Sequence, residues 1–157
     1  MSSTVLDDVD RGVLYALQQD ARNTTTREIG DRVNVTATTV SNRIAQLEAD
    51  EIITNYYTTL DYDRAGFPLH VLITGTAPIV EREALARRAL DIPGVVNVCE
   101  LMVGQGNIRI EAVGQFNDDI TRIVTDLSEV GVSISDEVLI RNQYYHPLAF
   151  LETEAEI

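Results

Sequence analysis

The stretch Ala21 to Leu47, ARNTTTREIGDRVNVTATTVSNRIAQL, constrains the fold most, because its punctuation permits two short helices joined by a tight turn. Thr25 is placed to cap the first helix, and Glu28, three residues on, can reach back to it in the capping-box pattern. Ile29 and Val33 then fall four apart on one face. Asn34 stands where the chain must stop being helical, and Asn tolerates the left-handed backbone better than most residues. Thr36 suits the cap of a second helix, whose apolar residues Val40, Ile44 and Leu47 recur at helical spacing. With that stripe packed inward, Thr38, Thr39, Asn42, Arg43 and Gln46 point out. Short hydrogen-bonding side chains and one Arg on an exposed helix face are what a DNA major groove accepts. A helical hairpin with a merely polar outer face fits the same residues.

Charge bears directly on that choice. All 12 basic residues are Arg and none is Lys, against 25 acids, for a net charge of −13. DNA-binding domains are usually basic. The local balance answers the objection: residues 22 to 46 hold four arginines (22, 27, 32 and 43) against two acids (28 and 31), a net +2 that leaves −15 for the rest. Positive charge is thus concentrated where a phosphate backbone would need it. Arg27 and Arg32 join Thr36 and the outward residues as candidate DNA contacts. The absence of Lys beside so many carboxylates points to a surface adapted to molar salt, where self-repulsion is screened within about 3 Å. An extremely halophilic, archaeal source is expected. An ordinary acidic protein depleted of Lys by chance is the alternative.

A chain of 157 residues, 45% of them apolar, suits one ordinary domain or two small ones and excludes general disorder. No apolar run approaches the roughly 18 residues of a membrane span, and the N-terminus lacks a charged-then-apolar signal. The single Cys99 has no internal disulfide partner. A soluble cytoplasmic protein is expected, without membrane contact. Residues 1 to 6 show no periodicity and are expected to fray. From Asp7, DDVDRGVLYALQQD reads as a helix: Asp7 caps, Asp8 and Asp10 sit in the first turn, and Leu6, Val9, Val13, Leu14 and Leu17 form the stripe. Gly12 weakens that helix by about 1 kcal/mol relative to Ala without stopping it. IITNYYTTL, after the third helix, is rich in β-branched and aromatic residues and reads as a strand.

Tyr62 to Pro68 is a turn-rich joint. Beyond it the elements alternate: a strand at 69–77, a helix from Glu81 to Leu90, a strand at 95–103 and a loop at 104–107. A strand at 108–114, a helix capped by Asn117 and closed by Gly131, and a last strand from Val132 follow. This β-α-β-β-α-β order is the ferredoxin-like arrangement. Two helices cover one sheet face, so the other calls for a partner, and self-association is the economical solution. The reading is an α+β chain: a three-helix, winged helix-turn-helix unit over 1–60, a hinge over 61–68, a βαββαβ domain over 69–150, and an acidic tail over 151–157.

A three-helix unit, a hinge and a βαββαβ domain in this order resemble the Lrp/AsnC family of leucine-responsive-type transcriptional regulators. LDDVDRGVLYALQQDAR is similar to the family opening LD..D..IL..L..DAR, and TATTVSNRIAQLEADEI to its recognition helix with the tV..RI..LE core. YYTTLDYDRAG resembles its hinge, and DIPGV the turn before the second strand. The match spans residues 6 to 146 and is specific as a set. It implies DNA binding through Thr38, Thr39, Asn42 and Arg43, phosphate contacts from neighbouring Arg residues, and homodimers that assemble into tetramers or octamers. It also implies a small effector, commonly an amino acid, near the loop Gly104, Gln105, Gly106 and Asn107. Two positions depart from the pattern. Glu51 stands where the family usually has Gly after the recognition helix, and Asn107 where its loop usually has Asp, so an ammonium would meet an amide instead of a carboxylate.

Other chemistry is weakly signalled. GQGNIR lacks the third glycine of a dinucleotide fingerprint, and no helix follows it. His70 and His146 have no Cys or His at metal spacing, and Cys99 has no base beside it. The pairs Tyr56-Tyr57 and Tyr144-Tyr145 suit packing at the hinge and between subunits. No cofactor, metal or enzymatic activity is expected; a small enzyme acting on amino acids would need a constellation that is not there. The expected function is regulation of transcription through double-stranded DNA. The rival is a metabolite-binding or oligomerisation module that no longer touches DNA.

Overall fold

Three helices form in the computed structural model where the cues require them: α1 (Asp8–Asp20), α2 (Thr26–Val33) and α3 (Ala37–Ala49). Residues 5–152 are described. Asp7 and Asp10 cap α1 reciprocally, and Thr25 and Glu28 do the same for α2, with Thr25 N–H donating to Glu28 Oε2 over 2.7 Å. Asn34 closes α2 in the left-handed conformation at φ 59°, its N–H turned to the Gly30 carbonyl. Val13, Ala16, Ile29, Val40 and Leu47 form the core, flanked by Leu6, Val9, Leu14, Leu17, Val33 and Ile44. Each fully buried Val, Ile or Leu side chain contributes about 1.5–3 kcal/mol.

Two residues that look unfavourable in the sequence acquire reasons. Gly12 is buried in α1, and a Cβ there would collide with Val33 Cγ1 of α2. The glycine that weakens the helix therefore lets the next helix lie against its backbone. Glu51 adopts the left-handed conformation (φ 56°) that the usual glycine would supply. Ile52 N–H donates to the Leu47 carbonyl (2.9 Å) and Glu51 N–H to that of Glu48 (3.1 Å), a Schellman closure of α3. The usual C-terminal stop is present, made with a strained residue.

The strand expected over 52–60 does not form. Its composition favours β structure, but a strand exists only with a ladder partner, and none of the described strands pairs with it.

In the second unit, β1 (Leu69–Thr76), α4 (Arg82–Leu90), β2 (Val95–Glu100), β3 (Ile108–Gly114), α5 (Asn117–Val130) and β4 (Ser133–Leu139) build one antiparallel sheet in the order β2-β3-β1-β4. Val71 and Ile73 of β1 and Ile108, Ile110 and Ala112 of β3 face a core completed by Leu85 and Ala89 of α4 and Ile120, Ile123 and Leu127 of α5. The opposite face, away from α4 and α5, carries Leu72, Arg109, Glu111 and Val138. On that face Glu111 accepts from Asn97, Gln143 and, through His70 Nε2 at 3.1 Å, a histidine.

Three boundaries differ from expectation. β2 ends at Glu100, not Val103, because its partner β3 starts at Ile108, opposite Glu100. Asn117 is the first residue of α5 and not its cap; Asp119 instead accepts the N–H groups of Gln115 (2.8 Å) and Phe116 (2.9 Å). The chain divides into units that hold residues up to 58 together with those from 144, and residues 59–143. The segment from Tyr144, expected in the second domain, lies with the helical unit: Leu148 N–H donates to Gln18 Oε1 of α1 (3.0 Å), followed by a 3₁₀ turn at Ala149–Leu151. Residues 1–4 of the expected fraying start, and 153–157 of the expected acidic tail, lie outside the described residues.

Two substitutions should act against their helix propensities. Gly12→Ala should lower the stability of the helical unit, because overpacking at about 1–3 kcal/mol exceeds a propensity gain of about 1. Glu51→Gly should raise it by about 1 kcal/mol through relief of the left-handed strain. Thermal or urea unfolding of each variant beside the parent measures both signs.

Candidate nucleic-acid interface and effector loop

Before its acidic C-terminal end, where Glu48 and Ala49 are also exposed, the residues of α3 left in solvent are Thr38, Ser41, Asn42, Ala45 and Gln46. They follow the i, i+3, i+4, i+7 spacing of one helix face. Ser41 and Ala45 were missed by the sequence reading, although counting three and seven residues on from Thr38 finds them. The other expected contacts divide by what their side chains already do. Thr36 and Thr39 are joined hydroxyl to hydroxyl at 2.9 Å, and Thr39 N–H donates to Thr36 Oγ1 at 3.2 Å, so both serve the cap of α3. Gln46 Nε2 donates to Asp50 Oδ1 over 2.9 Å at the solvent surface. Arg27 and Arg32 are exposed on α2, and Arg32 reaches Gln19 Oε1 at 3.3 Å.

Arg43 is not on the outward stripe. Its side chain is turned to the start of α1, where Nη1 donates to Asp7 Oδ2 (2.6 Å) and to Asp10 Oδ1 (3.1 Å). The remaining oxygens of the same carboxylates make the capping box: Asp10 N–H donates to Asp7 Oδ1, and Asp7 N–H to Asp10 Oδ2. The Asp10 N–H, opposed by burial and aided by Arg43, holds the Asp7 carboxyl below its ordinary value. The Arg43 guanidinium is raised by Asp7 first and Asp10 second. A depressed carboxylate stabilises the fold above its ordinary pKa, and the contribution is lost as pH falls through the depressed value. The expectation that Arg43 projects to bases is therefore replaced, in this state, by an ion pair inside the helical unit.

Charge is uneven along α3. Glu48, Asp50 and Glu51 gather at its C-terminal end, whereas Arg27 and Arg32 lie on the preceding helix. A polyanion is favoured at the N-terminal half of α3, where the helix dipole adds its positive end.

The loop expected to hold an effector is also reassigned in part. Gly104 and Gln105 are exposed, and Gly106, at φ 61°, donates its N–H to Thr76 Oγ1 (2.8 Å). Asn107 is fully buried. Its Oδ1 accepts the Ala77 N–H and its Nδ2 donates to the Ala77 carbonyl, each at 2.8 Å. This amide clips the start of β3 to the end of β1, and its side chain is closed off from solvent by full burial. The chain around it presents Ile79, Val80, Met102 and Val103 to solvent. Among the described residues no group of His, Cys, Asp and Glu could hold a metal ion, and no helix is long and apolar enough to cross a membrane.

The two units define a class: a helix-turn-helix that presents one polar helix face, joined to a ferredoxin-like module. Comparison with known proteins narrows it. Residues 6–54 match the model of winged helix-turn-helix DNA-binding domains. An uncharacterised HTH-type transcriptional regulator of Pyrococcus furiosus is 30% identical over 128 residues, which cover 80% of this chain and 83% of that protein. The chain belongs to the HTH-type transcriptional regulators and is a DNA-binding protein of that family. The leucine response regulatory protein of Mycobacterium tuberculosis superposes with a TM-score of 0.76 at 18% identity, over 91% of this chain and 97% of its own. A Neisseria meningitidis transcriptional regulator solved with L-Met gives 0.72 at 22%, over 92% and 96%. At such identities these likenesses establish the shared Lrp/AsnC-type fold.

Replacing Asn107 by Asp tests the clip. An ionised carboxylate would face the Ala77 carbonyl with no proton to donate, a buried loss of about 1–3 kcal/mol at neutral pH. Burial raises the new carboxyl above its unfolded value, so its protonated form restores the bond: stability is recovered at low pH and lost as pH rises. The difference in unfolding free energy between N107D and the parent should therefore shrink on acidification.

Proposed function

We propose that the chain is a sequence-specific regulator of the Lrp/AsnC type that reads the major groove with Thr38, Ser41, Asn42 and Gln46. The observation that carries this reading is the exposed stripe on α3, with Arg27 and Arg32 exposed on the helix before it. Asn42 is the base reader, since Asn can engage adenine with both atoms of its amide, and the two arginines take phosphates. Thr36, Thr39 and Arg43 support the helix from its flanks. Asn42→Ala should weaken binding to a duplex selected from a random-sequence pool by about 5- to 150-fold, the worth of one bidentate base contact. Arg27→Ala should weaken all duplexes alike and reduce the slope of log affinity against log salt by about one. Equal binding of the parent and N42A to the selected duplex would refute the assignment.

The protein is further proposed to be a homodimer that can assemble into tetramers or octamers, using the sheet face opposite α4 and α5. An amino acid is proposed to bind at the exposed part of the loop, Gly104 and Gln105, by analogy with the Neisseria regulator that holds L-Met. With Asn107 turned inward, backbone N–H groups of that loop, and no side-chain charge, would meet the ligand. Thermal shifts measured with each proteinogenic amino acid should single out one or a few that raise the unfolding temperature; no shift from any removes the effector from this reading. Location in the cytoplasm and adaptation to molar salt are proposed from the sequence, the latter from 12 Arg, no Lys and 25 acids. The named relatives, from Pyrococcus and bacteria, lend a halophilic source no support. Dialysis into low salt decides it: unfolding is expected, and full stability would discard the proposal.

A second reading, an assembly module without DNA binding, draws on one observation. Pairing of Arg43 with Asp7 and Asp10 removes a cation from the positive stretch of the chain. Failure of the parent to enrich any sequence from the pool would favour it.

A further inference from the structure

We infer that Arg43 is a positioning residue for sequence reading: by pairing with Asp7 and Asp10 it sets the angle at which α3 is presented, and it does not itself contact DNA. The inference deepens the reading of α3 as the DNA-reading helix and rests on it.

The geometry is a closed circuit of four carboxylate oxygens. Two of them, Asp7 Oδ1 and Asp10 Oδ2, are consumed by the first turn of α1 through the reciprocal bonds at 2.9 and 3.2 Å. The other two converge on a single nitrogen, Arg43 Nη1, at 2.6 and 3.1 Å. Charge-assisted bonds of this kind are about twice as strong as neutral ones and more directional. The circuit is partly withdrawn from water, with Asp10 buried and the Arg43 side chain 36% exposed. Thus the point where α1 begins is tied to the middle of α3, 33 and 36 residues further along the chain.

Position along α3 makes the tie consequential. Arg43 directly follows Asn42 and lies a turn from Gln46, both on the exposed stripe. Across the helix, Val40 and Leu47 bind α3 to the core through apolar contact, which fixes distance but resists rotation about the helix axis weakly. A directional ion pair on the flank supplies that resistance. Rotation by a fraction of a turn would move Asn42 away from the base edge that it must meet with two bonds. Non-specific attraction to phosphates, by contrast, depends on charge and tolerates such a rotation.

The two possible roles of Arg43 predict opposite effects of its acidic partner. Asp10→Asn keeps an oxygen for the Asp7 N–H while presenting an amide to the guanidinium. If Arg43 positions α3, D10N loosens it and binding to the selected duplex weakens. If Arg43 contacts DNA, the loss of a competing carboxylate strengthens that binding.

The experiment uses the full chain and two probes: a duplex selected by the parent protein from a random pool, and a scrambled duplex of equal composition. The expected ratio of affinities for the two falls about tenfold in both R43A and D10N, and the double variant falls no further, the signature of residues acting as one unit. The salt slope on the scrambled duplex stays that of the parent. Circular dichroism establishes the folded fraction of each variant, and a merely structural role would lower that fraction while leaving the ratio of the folded protein intact. Should R43A fail to fold, D10N alone decides by the sign of its effect. Tighter binding by D10N, or a salt slope reduced by about one in R43A, overturns the inference. If the parent selects no sequence at all, the reading of α3 fails and this inference with it; selection with an unaltered ratio in both variants overturns only the positioning role.

Discussion

A carboxylate has two oxygens, and at the start of α1 that elementary fact lets two aspartates do two things at once. One oxygen of each closes the helix end, and the other meets Arg43 of α3. Removing either carboxylate would leave helix end and ion pair with one partner fewer, so the start of α1 and the setting of α3 form one electrostatic unit. The rest of the helical unit is arranged around it. Gly12, one helical turn or less beyond Asp10, opens α1 to Val33, and Asn34 and Thr36 turn the chain so that α3 can return to Asp7.

The second unit rests on a different balance. Its core is aliphatic and one-sided, built from alternate residues of β1 and β3 beneath α4 and α5. Cohesion of that core is supplied by area and shape, and the directional side-chain bonds lie on the opposite sheet face, around Glu111, and at strand ends. Asn107 is the clearest instance: one amide with a donor and an acceptor matches one peptide unit with an acceptor and a donor. An ionised aspartate matches only half of that pair. The residue which distinguishes this loop from the family pattern is therefore read better as a fastener between β1 and β3 than as a ligand for an ammonium group.

A chain of net charge −13 binds DNA only if its negative charge is kept from the interface. Part of this is achieved by sequence position, with arginines gathered between residues 22 and 46. Part follows from neutralisation, since Asp7 and Asp10 turn to a cation within the protein. The acids at the C-terminal end of α3 are left to repel phosphates, which restricts how the helix can approach the groove.

Local chemistry was enough to place the three helices, because caps such as Thr25 with Glu28, and the left-handed Asn34, act within a few residues. The same holds for the βαββαβ order, where turns and periodicity alternate in register with the elements. What escaped the sequence depends on partners far along the chain. IITNYYTTL has strand composition, but composition cannot supply a ladder. Glu51 looked like the loss of a helix stop and proved to be that stop under strain. Arg43 and Asn107 read as exposed contacts, because their polarity is visible while the atoms that satisfy it lie some 30 residues away. Apart from the strand expected over 52–60, the identity and order of elements were determined by the sequence alone through short-range bonding and periodicity. Which polar side chains remain available to DNA or a ligand was decided only by tertiary structure, since burial and long-range pairing exist only once the chain has folded.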